Sequence, residues 1–294
     1  MVQRKHWWLI GVSFWVLIAC AIPIPTTVPL TKIDMVDEEQ SAGLDGAQRA
    51  VVRLRLLSQR LAVQPGDGVA LLRGRFRYNV KEWAPSVKQN TSDDTTTVTV
   101  GQGLGSQIPL GTSDDYVNEW DVDLAYGVPI DLGVDIGAGQ VQLDLGGLSL
   151  SDLSVTSGSA DVSATFDLPN PEPLGLLRVT SGTGKFVASG LGNANFDRLS
   201  VLGGTGIVNL DFSGAQARSA VVDIKAGAGR IDIRVPASVG VRMTLSGTGV
   251  STVDTIGFTE QSDNVYVNAA YGAATLTLTI NVTAGVGAIT LISQ

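Results

Sequence analysis

The sequence predicts an all-β protein: a β-helix-like solenoid of stacked coils, each about 20–24 residues long. Three observations carry that reading. First, the first glycines of Gly-x-Gly or Ser-Gly turns fall at residues 137, 158, 182, 204, 227, 247 and 285, at spacings of 21, 24, 22, 23, 20 and then 38. A period in the low twenties marks coils that bury their apolar faces only by stacking. Second, the stretches between these turns alternate apolar and polar residues, as in Val141-Gln142-Leu143-Asp144-Leu145 and Ile231-Asp232-Ile233-Arg234-Val235. Alternation with period two is the pattern of a half-buried strand, not a helix. Third, 35 glycines and an aromatic content of 6% suit a thin, tightly turned core. The competing reading is a β-sandwich of many hairpins.

The chain opens with a targeting segment over residues 1–19. Arg4 and Lys5 precede an apolar run from Trp7 to Ala19. That run is shorter than the roughly 20 residues a spanning helix needs. It ends in Leu17-Ile18-Ala19-Cys20, which resembles the lipobox of bacterial lipoproteins. The resemblance implies that Cys20 receives a diacylglycerol and becomes the mature N-terminus. It also accounts for a secreted chain with a single cysteine and no disulfide partner. Cleavage there removes Arg4, Lys5 and His6, the only histidine, and takes the formal net charge from −8 to −10. The implied location is the extracytoplasmic face of a bacterial cell membrane. The competing reading is an uncleaved signal anchor.

Residues 20–45 hold Pro23, Pro25 and Pro29, then Asp34, Asp37, Glu38 and Glu39. Prolines and an acidic run without apolar periodicity read as a solvated tether. Residues 46–150 form a first β domain. Arg53-Leu54-Arg55-Leu56 and Arg73-Gly74-Arg75-Phe76-Arg77-Tyr78 alternate about a turn at Gln64 to Gly68. Residues 47–82 carry seven arginines and Lys81 against Asp67 and Glu82, a net of +6. Residues 83–294 carry nine bases against twenty-one acids, a net of −12. Arg73, Arg75 and Arg77 are therefore candidates for contact with anionic headgroups or wall polymers. The alternative is a solvated strand face paired with carboxylates. Asn90 to Thr97 reads as a hairpin or loop, and Trp83 and Trp120 as packing for the first coils. Pro129 belongs at an edge or corner, since it cannot donate to a ladder.

Residues 151–294 continue the solenoid. Leu168 to Pro173 holds three prolines and reads as a stiff protruding loop. Thr259 to Asn264 reads as a second polar loop. The expected core includes Ile136, Val141, Leu143, Leu153, Val155, Val162, Phe166, Val179, Val201, Val208, Leu210, Val222, Ile224, Ile231, Ile233, Leu276, Leu278 and Ile280. Open rungs invite edge pairing, so the ends need covers, and the basic segment is the candidate cover for one of them.

Several stretches together resemble the bacterial toast-rack proteins, envelope β-solenoids that include cell-wall-active-antibiotic response proteins and adhesin-like relatives. They are Gly46-Ala47, Phe76-Arg77-Tyr78-Asn79, Asn118 to Leu124, Val128 to Leu132, Gly137-Ala138-Gly139 and Leu143 to Leu148. The resemblance implies an envelope location and a sensing, binding or structural role, and supplies no catalytic residues.

The residues themselves exclude much chemistry. Without histidine in the mature chain there is no Ser-His-Asp triad, Cys-His pair or histidine metal site. No phosphate-binding loop occurs, and the Gly-x-Gly turns join strand to strand without a helix N-terminus for a pyrophosphate. No cofactor is implied, and the acidic balance speaks against nucleic acid. Carboxylate chemistry remains, with Asp93-Asp94 and Asp114-Asp115 as the visible pairs, both in turn-like sequence. Two functions follow. One is a lipid-anchored, non-enzymatic envelope protein that binds a wall polymer or envelope protein. The other is a surface polysaccharide-active or adhesive β-helix. Three or more acids with aromatics in one groove would favour the second.

Overall fold

In the computed structural model, residues 30–102, 115–247 and 251–294 are described. They form one sixteen-stranded sheet wound into a solenoid. The strands are β1 (Lys32–Ala42), β2 (Arg49–Pro65), β3 (Leu72–Val80), β4 (Pro85–Ser92), β5 (Thr95–Gln102), β6 (Asn118–Leu124), β7 (Ile130–Asp144), β8 (Leu150–Thr165), β9 (Leu174–Ser189), β10 (Phe196–Asp211), β11 (Ala220–Val235), β12 (Gly240–Ser246), β13 (Ser251–Ile256), β14 (Phe258–Ser262), β15 (Val265–Asn268) and β16 (Thr277–Ser293).

The rungs are long strands, each with a corner in the middle. In β7 the buried side chains before the corner are Ile130, Leu132, Val134 and Ile136; after it they are Val141 and Leu143. The inward parity thus switches from even to odd between 136 and 141, which turns the chain so that both arms face one core. The same switch separates Leu199 and Val201 from Val208 and Leu210 in β10. Two glycines serve the corner for different reasons. A Cβ on Gly158 would lie 2.6 Å from the Gly137 carbonyl oxygen of the rung below, so the first glycine is required by close stacking. Gly206 has φ +149, and its Cβ would meet the Gly184 carbonyl oxygen, so the second serves backbone conformation as well.

Successive rungs pair in parallel from β7 through β11, each about one coil apart in sequence, as in Val134 opposite Val155, with a register shift between Ile130 and Asp131 at the start of β7. At both ends the order departs from the sequence. β2 pairs with β7 on one side. On the other side it pairs with a composite rung, β5 on the first arm and β6 on the second. Correspondingly, β16 lies between β11 and a composite rung of β12 and β13. The chain therefore runs out to each terminal rung and places another strand one rung inward.

The core follows the expected residues. All those named above are buried except Leu276, which is half-buried just before β16 begins. Trp83 and Trp120 are fully buried at the N-terminal end, where Phe76 packs edge-on to Trp120 at 5.3 Å between ring centres.

Three expectations need correction. The solvated tether over 20–45 does not extend through its second half: Lys32–Ala42 is strand β1, antiparallel to β3. Its acids read as solvated from sequence because their partners lie in a distant arginine strand. The polar stretch at 259–264 is a hairpin of β14 and β15 rather than a loop. The proline-rich stretch at 168–173 protrudes at Leu168 but is tied down in its middle. Asn170, 3% exposed, accepts from the Leu150 N–H at 2.8 Å and donates to the Leu150 carbonyl at 2.9 Å. The boundary drawn at 150/151 falls inside β8, after its first residue, in a rung that pairs with β7 in the same sheet.

Candidate binding surfaces

Arg73, Arg75 and Arg77 stand on β3 between two acidic strands. The register places Asp37, Arg77 and Glu119 in one row, Glu39, Arg75 and Asp121 in the next, and Ser41, Arg73 and Asp123 in the third. Alternate residues share a face, so three arginines meet five carboxylates in this ladder. Arg73 reaches Glu39 at 3.4 Å and Asp67 at 3.0 Å; Arg77 reaches Glu119 at 3.3 Å. The Asp67 carboxyl is held below its usual range by the Val69 N–H and by Arg73. Among the described residues Arg75 has no ion pair within 4.0 Å and borders a shallow cavity with Glu39, Gln64, Arg73, Asp121 and Asp123. The three arginines are thus brought together, but within a patch whose formal charge is negative. The signal was present in the sequence: Glu119, Asp121 and Asp123 repeat with the arginines' period of two and the opposite sign.

A further ion pair, on the first arm, joins β2 to β7. Arg53 grips Asp131 with two nitrogens, Nη1 to Oδ1 at 3.0 Å and Nη2 to Oδ2 at 2.6 Å, and Nη1 also donates to the Asp131 carbonyl. Gly133 makes this possible, since a Cβ there would lie 2.7 Å from Arg53 Cδ. Asp152, on the next rung, has its carboxyl pushed up by partial burial and by Asp131; the Leu176 N–H and Arg53 offset part of that.

The largest cavity among the described residues is a groove of about 630 Å³ near the corner at the N-terminal end. Arg55, Lys88, Thr99 and Gln102 supply its polar wall, and Leu56, Leu57 and Ile136 its apolar one. Its one carboxylate among the described residues, Asp135, lies 3.6 Å from Arg55. No aromatic ring among the described residues lines it. Among the described residues no group of three or more His, Cys, Asp or Glu side chains is arranged to hold a metal ion.

Asp93, Asp94 and Asp115 are turn residues. Asp93 has φ +51 at the tip of the β4–β5 hairpin, and the Asp94 carbonyl accepts from Gln48 and Arg49. Asp114 lies outside the described residues, and the Asp115 carbonyl accepts from Asn79 Nδ2 at 2.6 Å. Leu17, Ile18, Ala19 and Cys20 also lie outside them.

This fold and these surfaces define a β-solenoid with fixed, charge-lined faces, and comparison with known proteins agrees. Residues 31–172 match the family model described as the N-terminal domain of toast_rack, DUF2154; this segment is a toast-rack N-terminal domain. The match starts at Thr31, which places β1 inside the domain. A crystal structure described as a "putative cell adhesion protein" from Clostridium sporogenes is similar over 88% of this chain and 100% of its own, with a TM-score of 0.51 and 23% identity. A "putative adhesin" from Bacteroides fragilis aligns over 87% of this chain and 96% of its own, with a TM-score of 0.30 and 13% identity. The first shares the fold. No curated protein matches the sequence.

Proposed function

We propose that this protein is a non-enzymatic binding module of the bacterial envelope, held at the extracytoplasmic face by a lipid on Cys20. The observation that carries the binding reading is the make-up of the largest groove. Among the described residues it has one carboxylate, already beside an arginine, and no ring on which a sugar could stack. Glycoside hydrolysis needs two carboxyls across one bond. The rigid stack of rungs supports the same reading, because it presents broad fixed surfaces rather than a closing cleft. The description of the Clostridium structure as a cell adhesion protein favours adhesion over stress sensing as the use of those surfaces.

Anchoring rests on Leu17-Ile18-Ala19-Cys20 behind a short apolar run. Contact with anionic headgroups or wall polymers through Arg73, Arg75 and Arg77 has to compete with the five carboxylates that flank the row. Replacing Cys20 by Ser tests the anchor. Wild-type protein is expected in the membrane fraction with the mass of an acylated, processed chain. The Ser variant is expected to lose the acyl mass. Wild-type protein without acyl mass, still membrane-bound through an uncleaved N-terminus, would refute the lipid reading.

A further inference from the structure

The two ends of the solenoid are not closed alike. Each terminal composite rung has two arms, and strands added beyond them cover three of the four. β4 covers β5, β3 and β1 cover β6, and β15 and β14 cover β12. The fourth, β13, pairs only with β16 among the described residues. Its inward-facing positions show the consequence. Ile289 and Leu291 of β16 are 1% and 0% exposed, whereas Val253 and Thr255, stacked on them, are half-buried and exposed. A step results: the β14–β15 hairpin rises two strands beyond β12 on one arm, while the other arm stops at β13. In the angle between them lies a cavity of about 370 Å³ lined by Leu245, Val253, Tyr266 and Ala284, with Ser246 and Asn264 at its polar side.

We infer that this notch captures an extended peptide strand of a partner protein, one that alternates apolar with basic residues. An uncovered edge presents unpaired N–H and C=O groups, and main-chain pairing with an added strand satisfies them. Alternate side chains of that strand then face two environments. Those opposite Val253 and Thr255 point toward the apolar seat. Those opposite Asp254 point outward beside that carboxylate, with Asp232 in the same row two strands inward and Glu260 on the hairpin wall; Arg230 and Arg234 stand in the flanking rows of β11, Arg230 bound to Asp232, and Arg242 lies on β12. Glu260 sits across from Tyr266 on the hairpin wall; partial burial and this carboxylate push the Tyr266 hydroxyl up from its usual range. The inference rests on the protein being a binding module but not on lipid attachment, so loss of anchoring and loss of strand capture are separate readouts.

The test uses the full chain in non-ionic detergent with the peptide Val-Lys-Val-Lys-Val-Lys-Val, its Glu counterpart, and a Lys peptide N-methylated at alternate amides. Hydrogen exchange at residues 252–256 is followed by mass spectrometry. The Lys peptide is expected to slow exchange there, and the Glu and N-methylated peptides are not. Asp254→Lys is expected to weaken the effect about tenfold, the scale of one lost charge contact. Three results would overturn the inference. They are equal binding of the N-methylated peptide, which means charge attraction alone; no protection by the Lys peptide; or slow exchange already in the free protein, which means the chain or a second copy covers the edge.

Discussion

The central rungs and the two ends of this solenoid are built on different logic. From β7 to β11 each coil largely repeats the one before it, with glycine over glycine at most corner positions and apolar over apolar at most core positions; Ser157 over Ile136 and Ala160 over Gly139 are departures. At the ends the repeat gives way to remote pairing. β2 meets β7 across eighty residues, as in Ala50 opposite Ile130, and β11 meets β16 across fifty-eight, as in Val222 opposite Ile280. The middle is held by packing that tolerates no extra volume. The N-terminal end adds an exposed charge ladder, which tolerates much more. The lesson is that glycine content has one meaning in the stack and another outside it.

The largest expected effect separates these two regimes. Gly206→Ala places a Cβ against the Gly184 backbone at a positive φ and should cost about 3 kcal/mol or more. Gly101→Ala, in the terminal composite rung, meets only Arg55 Cβ at 3.8 Å and should be nearly neutral. Urea unfolding of both variants measures the difference. Equal losses would mean that the corner stack is no tighter than the ends.

A smaller effect is expected from the charge ladder. Replacing Arg73, Arg75 and Arg77 together by Gln leaves five carboxylates facing one another across β1, β3 and β6. These side chains are partly exposed, so the loss should be about 1 kcal/mol in total at low salt and should shrink as salt is added. The same variant reads the arginines' share in any binding to anionic vesicles. Unchanged binding would remove the row from the functional surface.

The smallest effect concerns Asp152. Its carboxyl is raised by partial burial and by Asp131, so the folded state prefers it protonated. The associated stability is present below the ordinary aspartate value of 3.8 and is lost as pH rises through the elevated folded value. Asp152→Asn should therefore melt slightly higher than the parent at pH 7 and equal to it near pH 3. A variant less stable at pH 7 would mean that the Leu176 N–H and Arg53 outweigh the burial.

Alternation and glycine spacing alone determined the class of fold, the middle rungs and nearly all of their core, because a coil that repeats in space must repeat its inward residues in sequence. Leu276 shows the limit of that rule: it keeps the alternation one position before the strand begins. Tertiary structure decided what had no local repeat. It turned the acidic run at 37–39 from a tether into a strand. The arginines opposite that run, Arg75 and Arg77 on β3, lie beyond the whole of β2 in the sequence. Only folding brings the opposite charges side by side, so no local pattern could announce the pairing.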